Sequence, residues 1–345
     1  MSGAYDDAQV VGIDLHRRRT VVVRKSARTG ELVGEPVRIN NDPDRLVAAV
    51  APAGPGARVV IEATYGWYWA VDALQAAGCE VHMAHPLANA GFRNRRVKND
   101  VADASDLADL LRLNRLAESW IAPPELRERR ELVRHRHRLV EQRTRFKNQV
   151  HGVLAKCGRT AGLADVFAPT GPAVLTGLGL PGAYADRIES LRRLVDDLDA
   201  EIDAYDGRIA ASMAGDAGYQ AVQTIPGVGP VLAAVFVVEI GDIARFARPA
   251  QLCCWAGLTP RHYESDTTVH RGNISKQGSK LVRWAAVEAV QRQRQANPLT
   301  ATRERVAASR GSRNLGKVAA ARKMLTYVYY GLRDHHIRAL AAAAP

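Results

Sequence analysis

Two short apolar runs, Val10-Val-Gly-Ile-Asp14 and Arg58-Val-Val-Ile-Glu62, each close on a carboxylate. Continuous apolar runs this short, rich in β-branched residues, read as strands buried on both faces. A strand of that kind belongs inside a sheet that helices cover. Thr20-Val-Val-Val-Arg-Lys follows the first run at hairpin distance, and Glu31-Leu-Val-Gly-Glu-Pro-Val-Arg-Ile39 predicts a third strand. Helix patterns at Asp44–Val50 and Trp67–Ala77 then alternate with the second acidic run and with a strand pattern at Cys79–Ala84. That order predicts a mixed sheet with helices on its faces. Acids at neighbouring strand ends then project into one crevice.

A third acidic element follows. Asp100, Asp103, Asp106 and Asp109 are spaced three apart and run into an apolar stretch, which puts neighbouring carboxylates on roughly one helical face. Such a cluster repels itself unless something cationic meets it. The positive end of the helix dipole is one answer and a divalent metal is another. Asp14, Glu62, Asp100 and Asp103, taken in that order, favour the metal. Asp106 and Asp109 read as solvated or salt-bridged positions on the helix surface. The layout is that of the ribonuclease-H-like (RuvC-like) fold, in which four carboxylates hold two Mg²⁺ ions about 3.5–4 Å apart.

Charge narrows the partner. The 345 residues carry a formal net charge of +12, and the pI is near 9.8. Such an excess favours a polyanion, with nucleic acid first. It is also uneven: Gly91 to Thr160 holds 17 Lys/Arg against 9 Asp/Glu. Arg95, Arg96 and Lys98, just before the acidic helix, are placed to bring a phosphate toward its carboxylates. No apolar run approaches the roughly 18–20 residues of a membrane span. The four cysteines have no metal-ligand spacing. A cytoplasmic protein with reduced thiols, no structural zinc and no membrane contact is expected.

Glu125–Lys156 repeats apolar residues every seven positions (Leu132, Leu139, Phe146, Val153) and carries Arg134, Arg138, Arg145 and Lys147 on its other faces. It reads as a helix packed in a coil, a nucleic-acid-binding helix, or both. Ile188, Leu191, Val195, Leu198, Ile202, Tyr205 and Ile209 alternate steps of three and four, a coiled-coil seam that predicts either an antiparallel hairpin with the basic helix or pairing with another subunit. Further on, Ile225-Pro-Gly227-Val-Gly229-Pro resembles a helix-hairpin-helix turn, whose glycines allow close approach and whose following N–H groups can bind a phosphate. The polar, glycine-punctuated stretch from His262 to Gly278 predicts a loop that leads into a helix over Ser279–Gln295.

Val11-Gly-Ile-Asp14, Val60-Ile-Glu62-Ala and Lys98-Asn-Asp100-Val-Ala-Asp103-Ala, together with the segment after Phe246, resemble the DEDD transposases of bacterial insertion sequences, the Piv-like "IS one-ten" family. The resemblance covers nearly the whole chain. It implies an α/β plus mostly α protein with three parts: a ribonuclease-H-like domain over 8–120, a long basic helix and coiled-coil hairpin over 121–215, and a transposase domain over 216–340. It puts the D-E-D-D metal ligands on Asp14, Glu62, Asp100 and Asp103, with two Mg²⁺ as cofactor. It also implies a C-terminal serine that becomes joined to DNA. By position that serine is Ser265, with Ser275 as second candidate, and it is expected to reach the metal-bound carboxylates. Arg261, Arg271, Lys276 and Arg283 would then hold the phosphate. A structured guide RNA, element-end and target DNA, and a homodimer or tetramer are the implied partners, at the nucleoid of a bacterial cytoplasm. Two rivals need less of the chain: a structure-selective DNA endonuclease needs the acids without a serine, and a nucleic-acid-binding protein needs neither.

Overall fold

The computed structural model describes residues 8–89, 99–160, 166–291, 293 and 295–341, which fall into two compact units, 1–121 and 122–345. The first unit is built on five strands: β1 (Gln9–Leu15), β2 (Arg19–Ser26), β3 (Val37–Asn40), β4 (Arg58–Glu62) and β5 (Glu80–Ala84). Their order in the sheet is β3-β2-β1-β4-β5. The β1–β2 and β2–β3 pairs are antiparallel, while β1–β4 and β4–β5 are parallel. Among its described residues the α-helices are α1 (Pro43–Val50), α2 (Tyr68–Ala76), the single turn α3 (Pro86–Asn89) and α4 (Asp100–Arg112).

Strand periodicity divides the sheet between two layers of helix. Val11, Ile13, Val59 and Ile61 face Leu46 and Val50 of α1 and Val71 and Leu74 of α2. On the other face Val10 and Val60 meet Leu107, Ala108 and Leu111 of α4, and Val21 and Val23 meet Ala104. Gly12 sits under that helix, where a Cβ would collide with the Ala104 carbonyl. Glycine there lets α4 lie directly on β1.

The third strand begins later than its apolar run suggests. Leu32 makes only an isolated bridge to Lys25. Gly34 is left-handed, with φ 73°, and Pro36 has no N–H to give a ladder, so pairing restarts at Val37.

The second unit is helical: α5 (Pro124–Lys156), α6 (Gly171–Gly177), α7 (Gly182–Met213), α8 (Ala217–Gln223), α9 (Pro230–Ile240) and α10 (Pro249–Trp255) precede a strand pair, β6 (Pro260–Ser265) and β7 (Thr268–Ile274). The helices α11 (Lys280–Gln291), α12 (Pro298–Arg310), α13 (Arg313–Asp334) and α14 (Arg338–Ala341) follow. α9 is its axis, with every residue from Leu232 to Ile240 buried. α5 and α7 pack against each other and against α9, so the basic helix and the C-terminal helices share one core around Val133, Ile209, Met213 and Phe236. The α5–α7 pair is an antiparallel hairpin. Arg136 bonds both carboxylate oxygens of Asp206 at 2.8 and 3.0 Å, Arg143 bonds Asp199, and Gln149 accepts from Arg187 at 3.3 Å. Partner numbers fall on α7 as they rise on α5.

The stretch expected as a loop is instead a β-hairpin. Ser265 pairs with Thr268 around a two-residue turn, where Asp266 takes the left-handed φ of 51°. Short polar side chains tolerate that region. The base of the hairpin is pinned by Ser275 N–H to the Thr259 carbonyl and by Lys276 N–H to that of Gly257. The helix that follows closes at Gln291 rather than Gln295. Among the described residues no helix is long and apolar enough to cross a membrane, and Cys79, Cys157, Cys253 and Cys254 are free thiols.

Candidate metal centre

Asp14 is the last but one residue of buried β1, and the parallel register that pairs Ile13 with Ile61 sets it beside Glu62 at the end of β4. Both follow the even-numbered residues, whose side chains face α4. That helix starts at Asp100, capped by Asn99, whose side chain accepts from the Val101 N–H at 3.0 Å. Its first turn carries Asp100 and Asp103. Because α4 is seated on Gly12, its N-terminus arrives over Asp14. The positive end of the helix dipole then eases the crowding of carboxylates.

Electrostatics record the convergence. The Asp14 carboxyl is buried and held above the ordinary carboxylate range, by desolvation first. His16 opposes that rise, and the negative charges of Asp100, Asp103 and Glu62 add to it. The other three acids of the sequence pattern therefore bear on Asp14. His16 lies 3.1 Å from Asp14 through its Nε2 and 3.4 Å from Asp100. Asp14 Oδ2, which faces that nitrogen, nonetheless receives no hydrogen bond of proper geometry among the described residues. A buried carboxylate oxygen with no well-formed hydrogen bond, under the charge of three further acids, fits a divalent cation, since oxygen ligands suit Mg²⁺. Asp14, His16 and Asp100 already bring one ligand atom each within 4.8 Å of the others.

His16 was not singled out in the sequence. Its signal is the two-residue step from Asp14, which keeps a side chain on the same side of an extended chain. Asp109, by contrast, is a structural acid. Lys25, buried on β2, donates to it at 2.5 Å and to Ser105 at 3.0 Å, while Arg112 donates from 2.6 Å. Burial would raise the Asp109 carboxyl, but the bonds from Lys25 and Arg112 outweigh it and hold the group below its ordinary value.

The expected nucleic-acid contacts have varied surroundings. Arg95, Arg96 and Lys98 lie outside the described residues. Arg134 is taken up by the buried carboxylate of Glu239 at 2.7 and 3.1 Å, and Ser279 donates to the same carboxylate at 3.3 Å. Arg138 and Arg145 are exposed, and Lys147 lies 4.8 Å over the ring of Phe167. Arg134 and Arg138 line a cleft of about 750 Å³ with His137, Glu141, Lys280 and Trp284. Gly227, at φ 83°, is pressed against the Ala289 carbonyl, so it serves packing; Gly229 opens α9 beside free space. Arg261 and Arg271 stand on the β-hairpin, and Lys276 is exposed at φ 56° beyond it. Arg283 donates to the Ala256 carbonyl at 2.9 Å, and burial lowers its pKa. Ser265 is exposed at the tip of β6, and half-buried Ser275 follows β7.

Comparison with known proteins adds a second line. A family model for DEDD transposases of the IS110 type, described as "Transposase", matches residues 11–158, and one described as "Transposase IS116/IS110/IS902 family" matches 219–305. The chain is 28% identical over 228 residues to a "Probable family 20 transposase" of Pseudomonas aeruginosa, covering 63% of this chain and 64% of that protein. It is 30% identical over 189 residues to the transposase for insertion sequence element IS1111A of Coxiella burnetii, covering 54% and 52% respectively. It is 24% identical over 243 residues to the transposase for insertion sequence element IS1328 of Yersinia enterocolitica, covering 68% and 70%. The alignments thus span about two thirds or less of the first two relatives' own length.

Proposed function

Because the chain belongs to the IS110/IS116/IS902 transposase family, we propose that it is an insertion-sequence transposase that cuts and joins DNA by phosphoryl transfer. The observation that carries this reading is a buried Asp14 carboxylate oxygen that receives no well-formed hydrogen bond among the described residues, with Asp100 and His16 at ligand distance and the charges of Asp103 and Glu62 also acting on it. The sheet order β3-β2-β1-β4-β5, with acids on β1, β4 and α4, supports a ribonuclease-H-like catalytic domain.

Asp14, Glu62, Asp100 and Asp103 would hold Mg²⁺, two ions in the reading made here. Bound there, the metal neutralises the acids, polarises the scissile phosphate and stabilises the charge that develops on attacking and leaving oxygens. The chain's own part is positional. β1 and β4 fix two carboxylates rigidly, Gly12 sets the height of α4, and the helix start supplies the other two. Ser265, with Ser275 as second candidate, supplies the nucleophile that becomes joined to DNA. Arg261, Arg271, Lys276 and Arg283 hold phosphate oxygens, and Arg95, Arg96 and Lys98 guide the strand toward the acids. The exposed cations of α5 and the net charge of +12 suit a structured guide RNA as well as element-end and target DNA. A homo-oligomer working in a bacterial cytoplasm at the nucleoid completes the reading, since joining several DNA ends needs more than one active site.

The test is a cleavage assay. Purified full-length chain, Mg²⁺, the transcript of the DNA flanking its reading frame and a labelled duplex of the element end are combined. Cut strands covalently joined to protein are expected, with Asp14→Asn and Asp103→Asn reduced at least about 10²-fold. Strand transfer that survives either substitution would refute the metal site. Cleavage without a protein–DNA adduct would make the chain an endonuclease instead.

A further inference from the structure

We infer that His270 is the general base that takes the proton of Ser265, and that one face of the β6–β7 hairpin is built for that step. The inference rests on Ser265 being the nucleophile and names the group that activates it. A serine hydroxyl attacks phosphorus poorly until a base removes its proton.

The backbone register makes the assignment. Ser265 is opposite Thr268, and Tyr263 is opposite His270. Residues directly opposite in an antiparallel pair share a face, and alternate residues along each strand return to it. Ser265, Thr268, Tyr263 and His270 therefore stand together. His270 is the diagonal neighbour of Ser265, a relation that spans roughly 7–8 Å between backbones and lies within reach of a long side chain. Imidazole is such a side chain, and serine is short, so the base must be the one to reach.

The other histidine is excluded by the same alternation. His262 falls on the opposite face, where its Nε2 is 3.2 Å from Glu264 Oε2. A cation joins the serine face at its base. The ladder is irregular between Pro260 and His262, and the Cβ of Arg261 is 3.8 Å from the point where Gly272 would carry its own. Gly272 follows His270 by two and so shares its face. The ionisable groups on this face are thus His270, Tyr263 and Arg261, with Asp266 at the turn and Glu264 behind. All of β6 is exposed, as are Thr268 and His270. A face that open admits a polyanion as large as duplex DNA, and Arg261 is placed for a non-bridging phosphate oxygen.

The step balances as follows. Ser265 Oγ forms a bond to phosphorus, and its proton passes to a ring nitrogen of His270, giving imidazolium. The bond from phosphorus to the leaving deoxyribose oxygen breaks with its electron pair on that oxygen, which takes a proton from water. When a second strand's hydroxyl attacks the phosphoserine, its proton passes to the hydroxide left in the solvent by the first step, and the serine oxygen leaves and recovers its proton from the imidazolium.

The test measures the rate of covalent adduct formation against pH, using the labelled element-end duplex with Mg²⁺ and the flanking transcript. His270→Gln should slow the adduct about 10²–10⁴-fold and abolish the decline toward acid pH that the unchanged protein shows. Added imidazole should restore the rate to His270→Ala, which a structural role would not allow. His262→Gln should behave as the unchanged protein. An unaltered rate in His270→Gln, or a slowed variant that keeps the acid-side decline and ignores imidazole, overturns the inference. Adduct formation by Ser265→Ala would fail a different claim, the identity of the nucleophile.

Discussion

Arg134 and Arg138 are one turn apart on α5 and have different neighbours. Arg134 neutralises the buried Glu239, whereas the Arg138 side chain is 64% exposed and only 4.0 Å from Glu131. Removing the main partner of a buried carboxylate leaves part of its charge without compensation. Arg134→Ala should therefore destabilise the protein by about 1–3 kcal/mol, read as a lower urea midpoint. Arg138→Ala and Arg145→Ala should leave the midpoint unchanged. Each should instead reduce the slope of log affinity against log salt by about one for nucleic acid bound to the basic helix. A melting curve for Arg134→Ala that overlays the unchanged protein would contradict the structural role. Sequence could not sort these arginines, because a guanidinium looks the same whether its carboxylate is absent or 105 residues away. The strand ends and the helix start on which the D-E-D-D acids stand were legible because strand-end position and helical spacing are local properties. His16 was not, since a histidine beside an acid has no pattern of its own.

The α4 helix shows how an element without chemistry sets a site. Gly12 leaves the space in which its backbone rests on β1 at Ala104. Gly12→Ala should force α4 outward, destabilising the fold by about 1–3 kcal/mol and weakening divalent-metal binding, although residue 12 carries no ligand. Chemical denaturation and metal titration on the same sample check both. Full metal affinity alongside reduced stability would break the link between helix seating and site. The strands and α4 could be read from the chain because burial imprints a period on the sequence. The α7 seam was readable for the same reason, with Ile188, Leu191, Val195, Ile202 and Ile209 buried as its spacing predicts. Its partner was not. That choice rests on Arg136–Asp206 and Arg143–Asp199, pairs that no spacing rule reports. The β6–β7 hairpin escaped notice for the opposite reason. All six residues of β6 are exposed, so no core selects apolar residues at alternate positions.

At the scale of the molecule, Asp14, Glu62, Asp100 and Asp103 belong to the first compact unit and the β6–β7 hairpin to the second. The compact units divide at residue 121, and within the second α5 and α7 share a core with α9. Long helices hide such a shared core because their own periodicity is complete without naming the surface they cover. The proposed function requires that Asp14, Glu62, Asp100 and Asp103 form one divalent-metal site. Calorimetric titration of Mn²⁺, as a surrogate for Mg²⁺, into the full-length chain tests it without requiring the DNA. The account predicts saturable binding in the unchanged protein that is lost in Asp14→Asn and in Asp103→Asn, while Asp106→Asn retains it. Binding that is absent throughout, or equally strong in Asp14→Asn, would contradict it.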